Sequence, residues 1–279
     1  MLAGALMLGG QNVVLAGTLD EIRESGTFRI GFRESEPPMS FLDPDGNPAG
    51  YSIDICERIA AEVETTLGLA DMTVEFVPTT AADRFTALAD GQFDILCGST
   101  TKTLARSELV DFTQLTFVTG ASLLALDGDD PVEVLADLPG KTVAVVEGTT
   151  TIDALRTALE EASITAEVRP VADAEEGFQL LVDGSVDALS SDQIVLIGLV
   201  LTHPIDQTFV VSRELFSFEP FALAVRQNDS AFRLVADRVL SDLNRSDEIA
   251  SVYAKWFGRF SPEIPELLQA LYVLNSTPE

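Results

Sequence analysis

Two stretches of twelve residues in this chain carry one pattern. Residues 85–96 read Phe85-Thr86-Ala87-Leu88-Ala89-Asp90-Gly91-Gln92-Phe93-Asp94-Ile95-Leu96. Residues 178–189 repeat the Phe, one Leu, the Asp-Gly pair, the next Asp and the final Leu at a constant offset of 93. In both, an apolar helical pattern runs into Asp-Gly, where glycine can take the left-handed conformation that closes a helix. A short apolar run, strand-like, follows. Helix, turn and strand in this order are a common connection, so the match alone proves little. Its surroundings add weight, because strand-like and helix-like patterns alternate on both sides of each copy. Before the first copy come a strand pattern at Thr27–Phe32, Ile55, Ile59, Val63 and Leu67 at helical spacing, and a strand pattern at 74–77. Around the second copy are Thr142–Val146 (strand), 152–161 (helix), Glu167–Val171 (strand), Ala174–Val182 (helix) and 186–189 (strand). Such alternation predicts parallel sheets covered by helices.

The expected fold class is therefore α/β: two similar lobes, each an open, mostly parallel sheet flanked by helices. Ligands of such sheets sit beyond the carboxyl ends of the strands. Ser99 follows the first copy, and Asp192 stands 93 residues later. The two would face each other across a cleft. From Phe221 onward there is one strand pattern (221–225) and two helical ones (230–244 and 247–257), too little for a third lobe. This tail is expected to return to the first lobe. The boundaries are then residues 17–116 plus 221–279 for lobe 1 and 117–220 for lobe 2, with chain crossings near 115–120 and 217–221. Two crossings make a hinge.

Charge narrows the function. The chain has 17 Lys+Arg against 45 Asp+Glu, a formal net charge of −28. That excludes the electrostatics of a nucleic-acid binder and disfavours anionic lipid. The acids are spread along the chain, as on a solvated, self-repelling surface of the kind that salt-rich habitats favour. Residues 1–16 are apolar and end in Val14-Leu15-Ala16, which resembles the small-residue site of a cleaved leader, although the first basic residue is only Arg23. Export with loss of residues 1–16 is expected. Exported chains permit disulfides. Cys56 and Cys97 could form one or remain two buried thiols.

The loop Cys97-Gly98-Ser99-Thr100-Thr101-Lys102-Thr103-Leu104-Ala105-Arg106 gathers hydroxyls, backbone N–H groups and a guanidinium after a strand. That set suits a small carboxylate. Each member also has a plain structural role open to it. Arginines are usually solvated, Asp192 could cap a helix, Ser99 and Thr101 could be turn residues, and Gly148-Thr149-Thr150 could be only a strand-to-helix turn. His203, the sole histidine, has no ligand-spaced partners, so no metal is expected. No G-x-S-x-G elbow or phosphate loop is present, and no cofactor is expected. Trp256 and Phe257 read as core.

At this point the sequence resembles the extracytoplasmic amino-acid-binding proteins of bacterial ABC importers, the polar amino acid family, and within it the glutamate/aspartate branch. The resemblance runs from about Thr18 to Phe257. It is carried by Thr18-Leu19-Asp20-Glu21-Ile22, Gly31-Phe32-Arg33-Glu34-Ser35, Gly50-Tyr51-Ser52-Ile53-Asp54, Cys97-Gly98-Ser99-Thr100-Thr101, Gly148-Thr149-Thr150 and Lys255-Trp256-Phe257. It implies the type II periplasmic-binding-protein fold, a periplasmic or otherwise extracytoplasmic monomer, a small amino-acid ligand and a membrane permease as partner. Arg106 would clamp the ligand α-carboxylate, with Thr101 and the backbone around Thr149. Ser99 and Asp192 would hold the α-ammonium. Arg33 and Arg84 would face the side-chain carboxylate. Two positions depart from the acidic-ligand pattern: Ala81 where a serine is expected and Ala174 where a histidine is expected. These departures open the range to glutamine and asparagine. A few proteins of this fold are cyclohexadienyl dehydratases, for which Glu34 and Glu147 would be the candidate acids. A ligand-sensing receptor module would be expected to bring membrane segments or a signalling domain, and neither is legible here.

Overall fold

The computed structural model describes residues 17–278; the expected leader at 1–16 lies outside them. The first part of the chain contains α1 (Thr18–Ser25), β1 (Thr27–Phe32), β2 (Ser35–Glu36), β3 (Ser40–Leu42), β4 (Pro48–Ala49), α2 (Tyr51–Leu67), β5 (Thr73–Pro78), α3 (Arg84–Ala89), β6 (Ile95–Cys97) and β7 (Asp111–Thr119). Next come β8 (Ala121–Leu126), β9 (Thr142–Val146), α4 (Thr150–Glu161), β10 (Glu167–Val171), α5 (Ala174–Val182), β11 (Ala188–Asp192), α6 (Gln193–Thr202) and β12 (Phe209–Val211). The chain closes with β13 (Glu219–Val225), α7 (Ser230–Arg245), α8 (Glu248–Phe257) and α9 (Glu266–Asn275).

Two five-stranded sheets result, in the orders β5-β1-β6-β13-β7 and β10-β9-β11-β8-β12. In each, the first three strands run parallel, and the fourth, β13 or β8, runs antiparallel to both its neighbours. Strands β2, β3 and β4 form a separate small sheet. The tail beyond 219 does return to the first sheet, since β13 inserts between β6 and β7.

The repeated twelve-residue pattern has one structural job in both places. Gly91 and Gly184 take φ of 70° and 76° just after α3 and α5. The recurring Asp then ties the next strand to its neighbour. The Asp94 carboxylate accepts the Arg29 N–H at 2.8 Å, and the Asp94 N–H donates to the Arg29 carbonyl at 2.8 Å. Asp187 does the same with Thr142, at 2.7 and 2.9 Å.

The chain passes between the sheets twice, at Gly120 from β7 to β8 and again on entering β13. The two passages lie side by side, with Glu219 paired to Thr119. Helix α9, which carries no obvious sequence signal of its position, braces this region. Its Leu268, Leu271 and Tyr272 are buried, the Asn275 amide donates to the Leu115 carbonyl at 2.6 Å, and the Tyr272 hydroxyl lies 3.0 Å from that of Tyr51. Phe257 is buried with Tyr51 and Phe117, in the core. Trp256 packs on Phe41 and donates its indole N–H to Asp54. Cys56 of α2 and Cys97 at the end of β6 form a disulfide, with Cα atoms 6.5 Å apart. The open choice between bridge and thiols is thus decided. A cross-link spanning 41 residues is worth about 4 kcal/mol if it acts by restricting the unfolded chain. It also anchors the strand end from which the Ser99 loop departs.

Candidate functional site

Between the two sheets lies a small cavity of about 20 Å³. Arg33, Arg84, Ser99, Thr101, Arg106, Thr149 and Asp192 all line it. The elements explain why. Arg33 follows β1, Ser99 and Thr101 follow β6, Thr149 follows β9, and Asp192 ends β11, so four strand ends of two sheets converge. Arg84 opens α3, and Arg106 opens a single 3-10 turn at Arg106–Glu108.

The three guanidinium groups are held differently. Arg106 donates to the Thr101 carbonyl at 2.8 Å and sits over the Phe85 ring, 5.3 Å from its centroid. Arg84 lies over the same ring at 4.6 Å and donates to the carbonyls of Ala81 and Gly148, the latter at 3.2 Å. Neither has a carboxylate in its hydrogen-bond shell among the described contacts. Burial first, then the charges of Arg106 and Arg33, pushes the Arg84 pKa down to about 9. A guanidinium nevertheless keeps its proton near neutral pH, so the shift measures how much a nearby anion would relieve. Burial also lowers the Arg106 pKa, against the pull of Glu219 and Asp192. Arg33, by contrast, is paired: its Nη1 lies 3.1 Å from Oε1 of Glu36.

Asp192 is the counterpart. It precedes α6 without capping it, so that alternative role is not used. Its Oδ1 is buried and accepts no hydrogen bond among the described residues. Burial, then the carboxylates of Glu219 and Glu36, raises its pKa well above the ordinary value, with Arg106 pulling the other way. A buried carboxylate in this state lacks a cation. Thr149 likewise leaves the start of α4 without a side-chain cap, its hydroxyl donating instead to the Val146 carbonyl at 2.7 Å. Uncapped N–H groups and the helix dipole there favour an anion.

Two acidic residues of this region escaped sequence reasoning. Glu36, three residues after Arg33, is buried in the cavity wall and accepts the Ser99 hydroxyl at 2.6 Å. Glu219, 2% exposed, accepts from Thr101 (2.6 Å), Thr150 (2.8 Å) and Ser217 (2.6 Å). It therefore joins a loop of the first sheet, the first turn of α4 and the second passage. Nothing in the spacing marks Glu219 apart from its place at that passage. Ala174 lines the cavity, while Ala81 is buried outside the lining and its carbonyl accepts from Arg84. Glu34 and Glu147, the candidate acids of a dehydratase, are exposed and outside the cavity lining. His203 pairs with Glu175 at 2.9 Å, and the described residues contain no metal-ligating cluster.

Comparison with known proteins agrees with this architecture. The profile of the bacterial extracellular solute-binding proteins, family 3, matches residues 28–259. An L-glutamate/L-aspartate-binding protein of Pseudomonas aeruginosa is 32% identical over 244 residues, covering 87% of this chain and 80% of that one. The crystal structure of a cysteine-binding protein from Campylobacter jejuni superposes with a TM-score of 0.77 at 26% identity, covering 90% of this chain and 97% of that one. An ancestral amino acid-binding protein, AncCDT-1, a precursor of cyclohexadienyl dehydratase, superposes with a TM-score of 0.73 at 31% identity. It covers 87% of this chain, which covers all of it in return.

Proposed function

The chain belongs to family 3 of the bacterial extracellular solute-binding proteins, and from that premise we propose that it captures an acidic L-amino acid, glutamate or aspartate, between its lobes. The same reading has it deliver that ligand to the permease of an ABC importer. The lobes proposed are residues 17–116 with 221–279, and 117–220, both boundaries falling within the ends of β7 and β13 where the chain passes between the sheets.

The observation that carries the choice of ligand is a charge pattern with no structural use. Among the described residues, Asp192 is a buried carboxyl group with an unpaired oxygen, and Arg84 is a buried cation whose partners are carbonyls and a ring. An α-amino acid with a second carboxylate supplies both missing partners. Its ammonium would meet Asp192 and Ser99. Its α-carboxylate would meet Arg106, Thr101 and the start of α4 at Thr149. Its distal carboxylate would meet Arg84. A guanidinium offers each carboxylate a two-pronged contact. Room for about one water molecule in the closed cavity means that the lobes must part to admit the ligand. The name of the Pseudomonas aeruginosa relative supports the acidic class, while that of the Campylobacter jejuni protein shows that this fold also serves cysteine. Glu34 and Glu147, the acids expected of a dehydratase, are exposed and outside the cavity lining.

A thermal-shift screen of the common amino acids tests the reading, since a ligand that binds only the native state raises its melting temperature. Glutamate or aspartate is expected to give the largest rise. A larger rise with leucine than with either acid, or no rise with any amino acid, contradicts it. Incubation with arogenate or prephenate is expected to leave both intact.

A further inference from the structure

Glu36 stands outside the reading above, yet it faces the same cavity with both oxygens engaged. Oε1 lies 3.1 Å from the guanidinium of Arg33, and both side chains are buried. Oε2 accepts the Ser99 hydroxyl at 2.6 Å. Each contact has a consequence. A buried cation with its own anion at contact distance has little left to gain from a second carboxylate. A serine has one hydroxyl proton. With that proton on Glu36, Ser99 can only accept from the ligand, which suits an ammonium and disfavours a carboxylate.

Resting on the proposed function, we propose that Glu36 is a specificity-determining residue that sets how strongly the site prefers an acid over its amide. It compensates Arg33, leaves Arg84 as the cation for the distal carboxylate, and turns Ser99 into an acceptor for the α-ammonium. Of the guanidinium groups lining the cavity, Arg33 is paired with Glu36, Arg106 faces the α-carboxylate, and Arg84 has only carbonyls and the Phe85 ring among the described residues. A distal carboxylate meets Arg84; a neutral amide leaves that one cation unmet, so glutamine and asparagine are excluded by a modest margin. Were Glu36 neutral, Arg33 would be a second unmet cation and the margin wider.

Calorimetry with glutamate and glutamine on the full chain separates the possibilities. In Glu36→Gln the glutamate-over-glutamine ratio of affinities is expected to rise by about tenfold or more, the effect of one partly screened charge across the cavity. In Arg33→Gln, where Glu36 is left without its cation, the ratio is expected to fall. The double variant Arg33→Gln/Glu36→Gln is expected to recover a ratio well above that of Arg33→Gln alone. A ratio in Glu36→Gln within about threefold of wild type overturns the proposal. If Glu36→Gln does not fold, the comparison of Arg33→Gln with the double variant decides: equal ratios mean that Arg33 serves the ligand directly and that Glu36 is a bystander. A wild-type protein that binds no amino acid contradicts the proposed function instead, a different outcome from binding with an unmoved ratio.

Discussion

Burial and the nearby carboxylates of Glu219 and Glu36 raise the pKa of Asp192, the residue proposed to meet the ligand ammonium. The folded protein therefore holds a proton on Asp192 over a window that begins at the ordinary value of 3.8 and extends upward. Within that window the unfolded chain binds fewer protons than the folded one, so this group's contribution to stability falls as pH rises. A ligand ammonium reverses the shift, and binding in the window must release the proton. Affinity for α-amino acids is thus expected to rise with pH from about 4 and then level off, with proton release visible as a buffer-dependent calorimetric enthalpy. Affinity that is flat down to pH 4 would remove Asp192 from the ammonium site. The isosteric Asp192→Asn leaves the ammonium opposite a neutral amide, a loss of about 3–5 kcal/mol or roughly two to four decades in affinity. Without ligand, the same variant is expected to melt higher than wild type near neutral pH, because the burial cost of the charge is gone. The candidate carboxylate clamp was legible in the loop 97–106 because strand, small donors and arginine are consecutive there. Glu36 was not, because an acid three residues from an arginine in a non-helical stretch is indistinguishable from a solvated pair until β2 and β3 fold back and bury it.

Among the elements, α6 comes close to the first lobe at Pro37, where Gly198 faces its backbone. A Cβ added at Gly198 would lie 2.0 Å from the Pro37 carbonyl oxygen, which is backbone and cannot swing aside. Alanine is otherwise favoured over glycine inside a helix by about 1 kcal/mol. Gly198→Ala should therefore keep or raise the melting temperature without ligand, yet prevent full closure and weaken ligand binding by about tenfold or more. Wild-type affinity in this variant would mean that the close approach of α6 and Pro37 is no part of the bound state. Most strands and helices were readable from periodicity, since their buried faces recur at two or near four residues. The exceptions have physical causes. Strands β2 and β4 are two residues each, too short to show a period. Helix α9 has exposed Leu267, Val273 and Leu274 beside buried Leu268, Leu271 and Tyr272, which blurs its apolar stripe. The lone antiparallel fourth strand of each sheet was hidden because direction leaves no mark in a strand's own sequence.

At the scale of the whole molecule, the repeated pattern placed two lobes and a cleft, and the tail's return to the first sheet follows from its having too few elements to stand alone. The chain's two adjacent passages, joined to both lobes through the contacts of Glu219 with Thr101, Thr150 and Ser217, form a natural hinge. Closure brings three guanidinium groups and two carboxylates into a cavity of about 20 Å³. Like charges crowded out of water favour separation of the lobes until a ligand of matching charge joins them. An acidic amino acid is expected to draw this cleft shut. Small-angle scattering of the protein alone, with saturating glutamate or aspartate, and with leucine checks this. A smaller radius of gyration is expected with the acid than without, and no change with leucine. An unchanged radius with an acid whose binding calorimetry has confirmed, or an equal contraction with leucine, would contradict it.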